Sequence, residues 1–138
     1  MVEQTLVLIK PDATEKEVWL QIIDRYRDAG FFIKKTKLVG KMNRATAKKL
    51  YSAHRQKPFF DRLINFTTSG PIIALLIEGE YCITSIRKFN GSTDPEKAKS
   101  GTIRAEFGTR RGEKHENAVH SSDSPESAQA EITLFFNS

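Results

Sequence analysis

Two stretches of the chain are apolar without interruption: Leu6-Val7-Leu8-Ile9, following Thr5, and Ile72-Ile73-Ala74-Leu75-Leu76-Ile77. A run with no polar alternation predicts a strand buried on both faces, so both belong in the middle of a sheet. Lys10-Pro11-Asp12 ends the first; a Ser69-Gly70-Pro71 turn precedes the second and Glu78-Gly79 ends it. Phe31 to Val39 is β-prone, but Lys34, Lys35 and Lys37 interrupt its pattern. It reads as an outer strand whose lysines discourage edge pairing. Thr14-Glu15-Lys16-Glu17 has the form of a capping box, and Val18, Ile22, Ile23, Tyr26 and Ala29 follow at helical spacing up to a closing Gly30. Asn43 caps a predicted helix over 44–54, and Pro58-Phe59-Phe60 opens another to about Thr67, making a helical hairpin. A short helix is predicted from about Tyr81 to Phe89. The most polar region, Asn90 to Glu116, reads as a long loop in which Asp94-Pro95-Glu96-Lys97-Ala98 makes one helical turn. Asn117 to His120 is a strand too short to survive outside a sheet. Ser124 then caps a last helix, with Pro125 at its first position, Glu126 at the positive end of its dipole, and Ala128, Ile132 and Phe135 or Phe136 on the buried side.

With the small helices treated as insertions, the order is βαββαβ. That predicts an α+β, ferredoxin-like fold: a four-stranded antiparallel sheet with helices packed on one face. The 138 residues, 38% of them hydrophobic, are expected to form a single domain over 1–138 with a modest core. The one cysteine, Cys82, reads as a small buried hydrophobe and permits no internal disulfide. With no secretory leader and no apolar run near the ~18 residues of a membrane span, a soluble cytoplasmic protein is expected. A formal charge of +5 and a pI near 9.4 favour an anionic partner. Mononucleotides, nucleic acid and anionic membrane all satisfy that, so charge alone does not choose.

The candidate chemistry centres on His120, at the junction of the last strand and helix. A loop carried on rigid elements is a common place for reacting groups, and imidazole is uncharged often enough at neutral pH to act as a nucleophile. From this stretch alone, a histidine that merely satisfies a hydrogen bond near a helix start fits equally well. No Walker-type loop is present: Gly108 and Gly112 lack the Gly-Lys-Ser/Thr ending, so any bound phosphates must be held by side chains.

Six short strings occur in sequence: Lys10-Pro11-Asp12, Tyr51 with Pro58-Phe59-Phe60, Ser69-Gly70-Pro71, Gly91-Ser92-Thr93-Asp94-Pro95, Gly101-Thr102-Ile103-Arg104, and Asn117-Ala118-Val119-His120-Ser121-Ser122-Asp123-Ser124. Together, from about Thr5 to Phe136, they resemble the successive signatures of nucleoside diphosphate kinases. The resemblance implies a ping-pong enzyme that moves the γ-phosphate of a nucleoside triphosphate onto His120 and then onto a nucleoside diphosphate. It also implies that Glu131, on the following helix, and Ser122 hold the ring. Arg87, Thr93 and Arg104 match phosphate contacts, the two arginines approaching from different elements. Lys10 and Asn117 match positions that bind the ribose hydroxyls and the phosphate chain, and Tyr51 matches a residue beside the histidine and the γ-phosphate. Phe59 matches the aromatic on which the base stacks, with Leu63 one turn later; stacking rewards any π-face and implies tolerance of all bases. Phe60 reads as core. Taken singly, Glu131 would read as an exposed helix carboxylate, Arg87 and Arg104 as solvated arginines, and Lys10 as a lysine snorkelling at a strand end.

The implied cofactor is Mg²⁺ bound through nucleotide phosphates, with no protein metal site. His54 and His115 are not persuasive ligands. The implied assembly is a homo-oligomer, tetramer or hexamer. Three departures from the family pattern stand out: Ser121 where many members have glycine, Ser100 in place of a proline, and a longer basic segment from Gly108 to Glu116 with a C-terminus soon after the last helix. By the resemblance, the last two fall on surfaces that the family uses for subunit assembly. Two alternatives are a basic nucleic-acid-binding module built on Arg104, Arg110, Arg111 and Lys114, and an inactive scaffold of the same fold. The first lacks a reading helix or aromatic platform; the second would need a broken site, whereas every matched position is present.

Overall fold

The computed structural model describes residues 1–109, 112 and 116–136. Four strands, β1 (Val2–Ile9), β2 (Phe32–Lys41), β3 (Pro71–Glu80) and β4 (Val119–Ser121), form one antiparallel sheet in the order β2-β3-β1-β4. The two uninterrupted apolar runs are its central strands, and the lysine-bearing β2 is an edge, as their patterns require. Both central strands outrun their apolar segments. Val2 pairs with Glu80 and Gln4 with Glu78, where Gln4 Nε2 donates to Glu78 at 2.9 Å. The ladder therefore continues past Glu78-Gly79, because antiparallel pairing needs only a partner backbone and not an apolar side chain.

Side chains on a strand alternate faces. Val7, Ile9, Ile73, Leu75 and Ile77 therefore pack on one side, with Ile22, Ile23 and Tyr26 of α2 (Trp19–Asp28) and Ile86 of α5 (Cys82–Asn90). Leu6, Leu8, Ile72 and Ala74 pack on the other. That side is covered by α3 (Arg44–Leu50), α4 (Phe60–Thr67) and α7 (Pro125–Phe136), through Ala47, Leu50, Leu63, Ile64 and Phe135. Helices thus cover both faces of the sheet, not one. A strand apolar on both sides demands this, since each fully buried Leu or Ile contributes about 1.5–3 kcal/mol only if water is excluded from its own side.

Other local differences have physical causes. Pro11 starts a five-residue helix, α1 (Pro11–Glu15), so Thr14 lies inside it instead of capping the next one. Its hydroxyl donates to Pro11 O at 3.1 Å and to Pro71 O at 2.7 Å, and α2 starts at Trp19 with Val18 at its N-cap and no side-chain cap bond. The predicted 44–54 helix ends at Leu50, followed by a 3₁₀ turn over Ser52–His54; its cap is as expected, Asn43 Oδ1 accepting from Thr46 N at 2.8 Å. The polar loop contains a further helix, α6 (Ile103–Phe107), capped by Thr102, whose hydroxyl accepts from Ala105 N at 3.2 Å. Cys82 is buried, and Ser124 caps α7, accepting from Ser127 N at 3.1 Å. Among the described residues no helix is long and apolar enough to cross a membrane.

Candidate active site

Register decides where His120 points. In β4, His120 lies opposite Leu8 of β1, while Val119 and Ser121 lie opposite Ile9 and Val7. His120 therefore shares the Leu6–Leu8 face with Tyr51 and α7, and its neighbours take the α2–α5 face. Ser121 there accepts from Asn90 Nδ2 at 3.1 Å, and Asn90 in turn accepts from the Tyr26 hydroxyl.

On the His120 face a cleft of about 840 Å³ opens between the helical hairpin, α5, α6 and α7. It brings together Lys10, Tyr51, Phe59, Leu63, Arg87, Thr93, Arg104, Asn117, His120 and Glu131. Ser122 does not line it. It is fully buried behind Glu131, where its hydroxyl donates to Glu131 Oε1 at 2.9 Å and accepts from Leu6 N at 3.3 Å.

The imidazole is held on one side only. His120 Nε2 lies 2.8 Å from Glu131 Oε1; against a carboxylate it is the donor, which places the neutral ring's proton on Nε2 and the lone pair on Nδ1. Among the described residues Nδ1 has no hydrogen-bond partner. Burial lowers the pKa of His120, only partly opposed by Glu131, so the neutral form is favoured at pH 7. The Tyr51 ring meets it edge-on, centroids 5.6 Å apart at 85°. Burial raises the pKa of Tyr51, keeping it a donor. Its hydroxyl and that of Thr67 are both buried without a well-formed bond, although the two groups are close enough for Thr67 to offset some of that shift.

The cations arrive from three elements. Lys10, at the end of β1, is buried and donates to Asn117 Oδ1 at 2.9 Å; Asn117 Nδ2 donates to Thr93 O at 2.8 Å. Burial, reinforced by Arg104 and opposed by Asp12, holds the Lys10 ammonium down to about 7. Arg87 is exposed on α5. Arg104 on α6 is not a solvated arginine: Nη1 donates to Gly91 O at 3.0 Å and Nη2 to Val119 O at 2.8 Å, while its buried Nε has no partner among the described residues. Gly91 has a φ of +89°, and a Cβ there would lie 2.6 Å from the Thr102 hydroxyl that caps α6, so only glycine fits beside the start of that helix.

Phe59, half-buried, and Leu63, buried, both line the cleft, and Phe60 belongs to the core. The sequence passed over His54, which lines the cleft between the rings of Tyr51 and Phe59, at centroid distances of 6.2 and 5.6 Å. Arg62, also unassigned, lines the cleft three residues after Phe59, a helical spacing that could have found it, whereas His54 lies five residues before Phe59 on a separate 3₁₀ turn and carried no such signal. Of the basic-loop residues, Arg110, Arg111, Lys114 and His115 lie outside the described residues, and Arg104 is turned inward. Among the described residues no group of three or more His, Cys, Asp or Glu side chains is placed to hold a metal.

A neutral imidazole facing cationic side chains and an aromatic ledge, at the edge of an antiparallel α+β sheet, defines a nucleotide phosphotransferase. The family model for nucleoside diphosphate kinase matches residues 3–138. A nucleoside diphosphate kinase of Saccharolobus solfataricus is 44% identical over 98% of this chain and 95% of its own. The crystal structure of the Aquifex aeolicus nucleoside diphosphate kinase superposes with a TM-score of 0.92 at 45% identity, covering 99% of this chain and 96% of the other. The Halobacterium salinarum nucleoside diphosphate kinase in complex with CDP gives a TM-score of 0.92 at 33% identity, covering 100% and 90%. The chain belongs to the nucleoside diphosphate kinase family, and its activity is phosphoryl transfer from a nucleoside triphosphate to a nucleoside diphosphate.

Proposed function

We propose that His120 Nδ1 carries the phosphoryl group between the two nucleotides. The observation behind this reading is the bond between His120 Nε2 and Glu131, which leaves Nδ1 as the nitrogen with a free lone pair at the cleft. In the first half-reaction an Nδ1–phosphorus bond forms as the bond from the γ-phosphorus to the bridging oxygen breaks, the electron pair leaving with the diphosphate. The phosphorylated ring keeps its Nε2–H, and the Glu131 carboxylate, steadied by Ser122, meets the positive charge that develops on it. The second half-reaction reverses these steps onto a different diphosphate.

Arg87, Thr93 and Arg104 hold the phosphates, and Tyr51 donates to the γ-phosphate. Lys10 and Asn117, already bonded to each other, take the ribose hydroxyls and the phosphate chain. Phe59 over Leu63 stacks the base, consistent with nucleoside substrates of every base. The donor set is cationic and, among the described residues, offers no acidic cage, which suits Mg²⁺ carried on the nucleotide's own phosphate oxygens. When bound there, the ion neutralises charge on the transferring group. We further propose a cytoplasmic homo-oligomer, tetramer or hexamer; Phe32 and Leu38, both well exposed on the edge strand β2, support association.

The test is incubation with ATP and Mg²⁺ alone. The protein should gain one phosphoryl group on His120 in an acid-labile, alkali-stable form that discharges onto added nucleoside diphosphates. His120→Asn should form no adduct, and full turnover by that variant would overturn the assignment.

A further inference from the structure

Two residues before His120, Ala118 adopts a φ of +73° although it is not glycine. Val119 N donates back to Asn117 O at 2.8 Å, so 117–119 form a tight three-residue turn of the strained hand. Such a backbone persists only where its surroundings over-determine it. Here the segment after β1 grips it twice: Lys10 N donates to Ala118 O at 2.8 Å, and Ala118 N donates to Asp12 Oδ2 at 3.0 Å. Asp12 is 6% exposed, and its Oδ1 has no partner among the described residues. The charged groups acting on it are Lys10 and Lys16, and Thr109 Oγ1 donates to Oδ2 at 3.4 Å. A buried carboxylate is costly, and this one does not line the cleft; its one link to the groups assigned to the reaction by hydrogen bonding runs through Ala118, beside its charge interaction with Lys10.

We propose that Asp12 is a positioning residue for phosphoryl transfer: its carboxylate holds the Ala118 N–H, keeps the 117–119 turn in its strained form, and so fixes Asn117 against Lys10 and His120 against the cleft. The inference rests on His120 being the phosphoryl carrier. The essential property is an acceptor at the Ala118 N–H, not the negative charge.

The experiment uses the full chain and reads the rate of His120 adduct formation at saturating ATP, with KM for the diphosphate and the thermal midpoint alongside. Asp12→Ala should slow adduct formation by about tenfold, the equivalent of releasing one strained residue. Asp12→Asn, which keeps an acceptor oxygen, should restore the rate to within about threefold of the parent, a difference no larger than one neutral hydrogen bond. Ala118→Gly added to Asp12→Ala should recover part of the loss, because glycine holds a positive φ without strain. A parental rate in Asp12→Ala, or a folded Asp12→Asn as slow as Asp12→Ala, would overturn the proposal. If Asp12→Ala does not fold, Asp12→Asn decides: a near-parental rate supports the role and a tenfold loss refutes it. An adduct that never forms in the parent would instead refute His120 as the carrier.

Discussion

Replacing Glu131 by glutamine keeps the shape of the His120 support and removes only its charge. In the parent, Glu131 Oε1 accepts from both His120 Nε2 and Ser122 Oγ, at 2.8 and 2.9 Å, and the side chain is only 11% exposed. A glutamine oxygen can occupy the same point and accept the same two donors. What it cannot do is balance the positive charge that appears on the ring as Nδ1 bonds to phosphorus. A hydrogen bond to a charged group is worth about 1.5–3 kcal/mol and a neutral one about 1. The transition state therefore loses about 0.5–2 kcal/mol, which is about a two- to thirtyfold slower phosphorylation of His120. Nucleotide affinity should hardly change, because no phosphate or ribose contact is lost. Rapid-quench measurement of adduct formation across ATP concentrations separates the two quantities. A variant that phosphorylates at the parental rate, or whose defect lies entirely in the ATP concentration dependence, would refute electrostatic support by Glu131.

The remaining expectations concern binding. Phe59→Ala should weaken nucleotide binding by about 1–3 kcal/mol, the worth of one stacking partner, equally for all bases; titration calorimetry with purine and pyrimidine diphosphates checks this, and a loss confined to one base would show edge recognition. Burial holds the Lys10 ammonium down to about 7, and bound phosphate must raise that value. Affinity is thus greatest below pH 7 and falls as pH climbs toward the bound-state value, with proton uptake that depends on the buffer's ionisation heat. Lys10→Met should remove the lysine's share of that uptake, and an unchanged pH profile in this variant would refute it.

The two apolar runs alone determined the centre of the sheet, since a strand without polar positions has no other stable place. The lysines of β2 likewise determined an edge, and Asn43 and Ser124 determined helix starts, because a cap acts through neighbours three residues away. The ordered short strings pointed to the residues that line the cleft, which lie at the ends of strands and short helices. Other features depended on distant partners. Thr14 bonds Pro71 across 57 residues, and α6 has five residues, too few to show a period. The apolar runs already required cover on both faces of the sheet, but which helices supply it on each face follows from how they pack, which no local pattern records. The tautomer of His120, the inward turn of Arg104 and the grip of Asp12 on Ala118 were decided only in three dimensions. Each is a hydrogen bond between segments that lie close only after the strands have paired, and a linear chain carries the donors and acceptors without the distances between them.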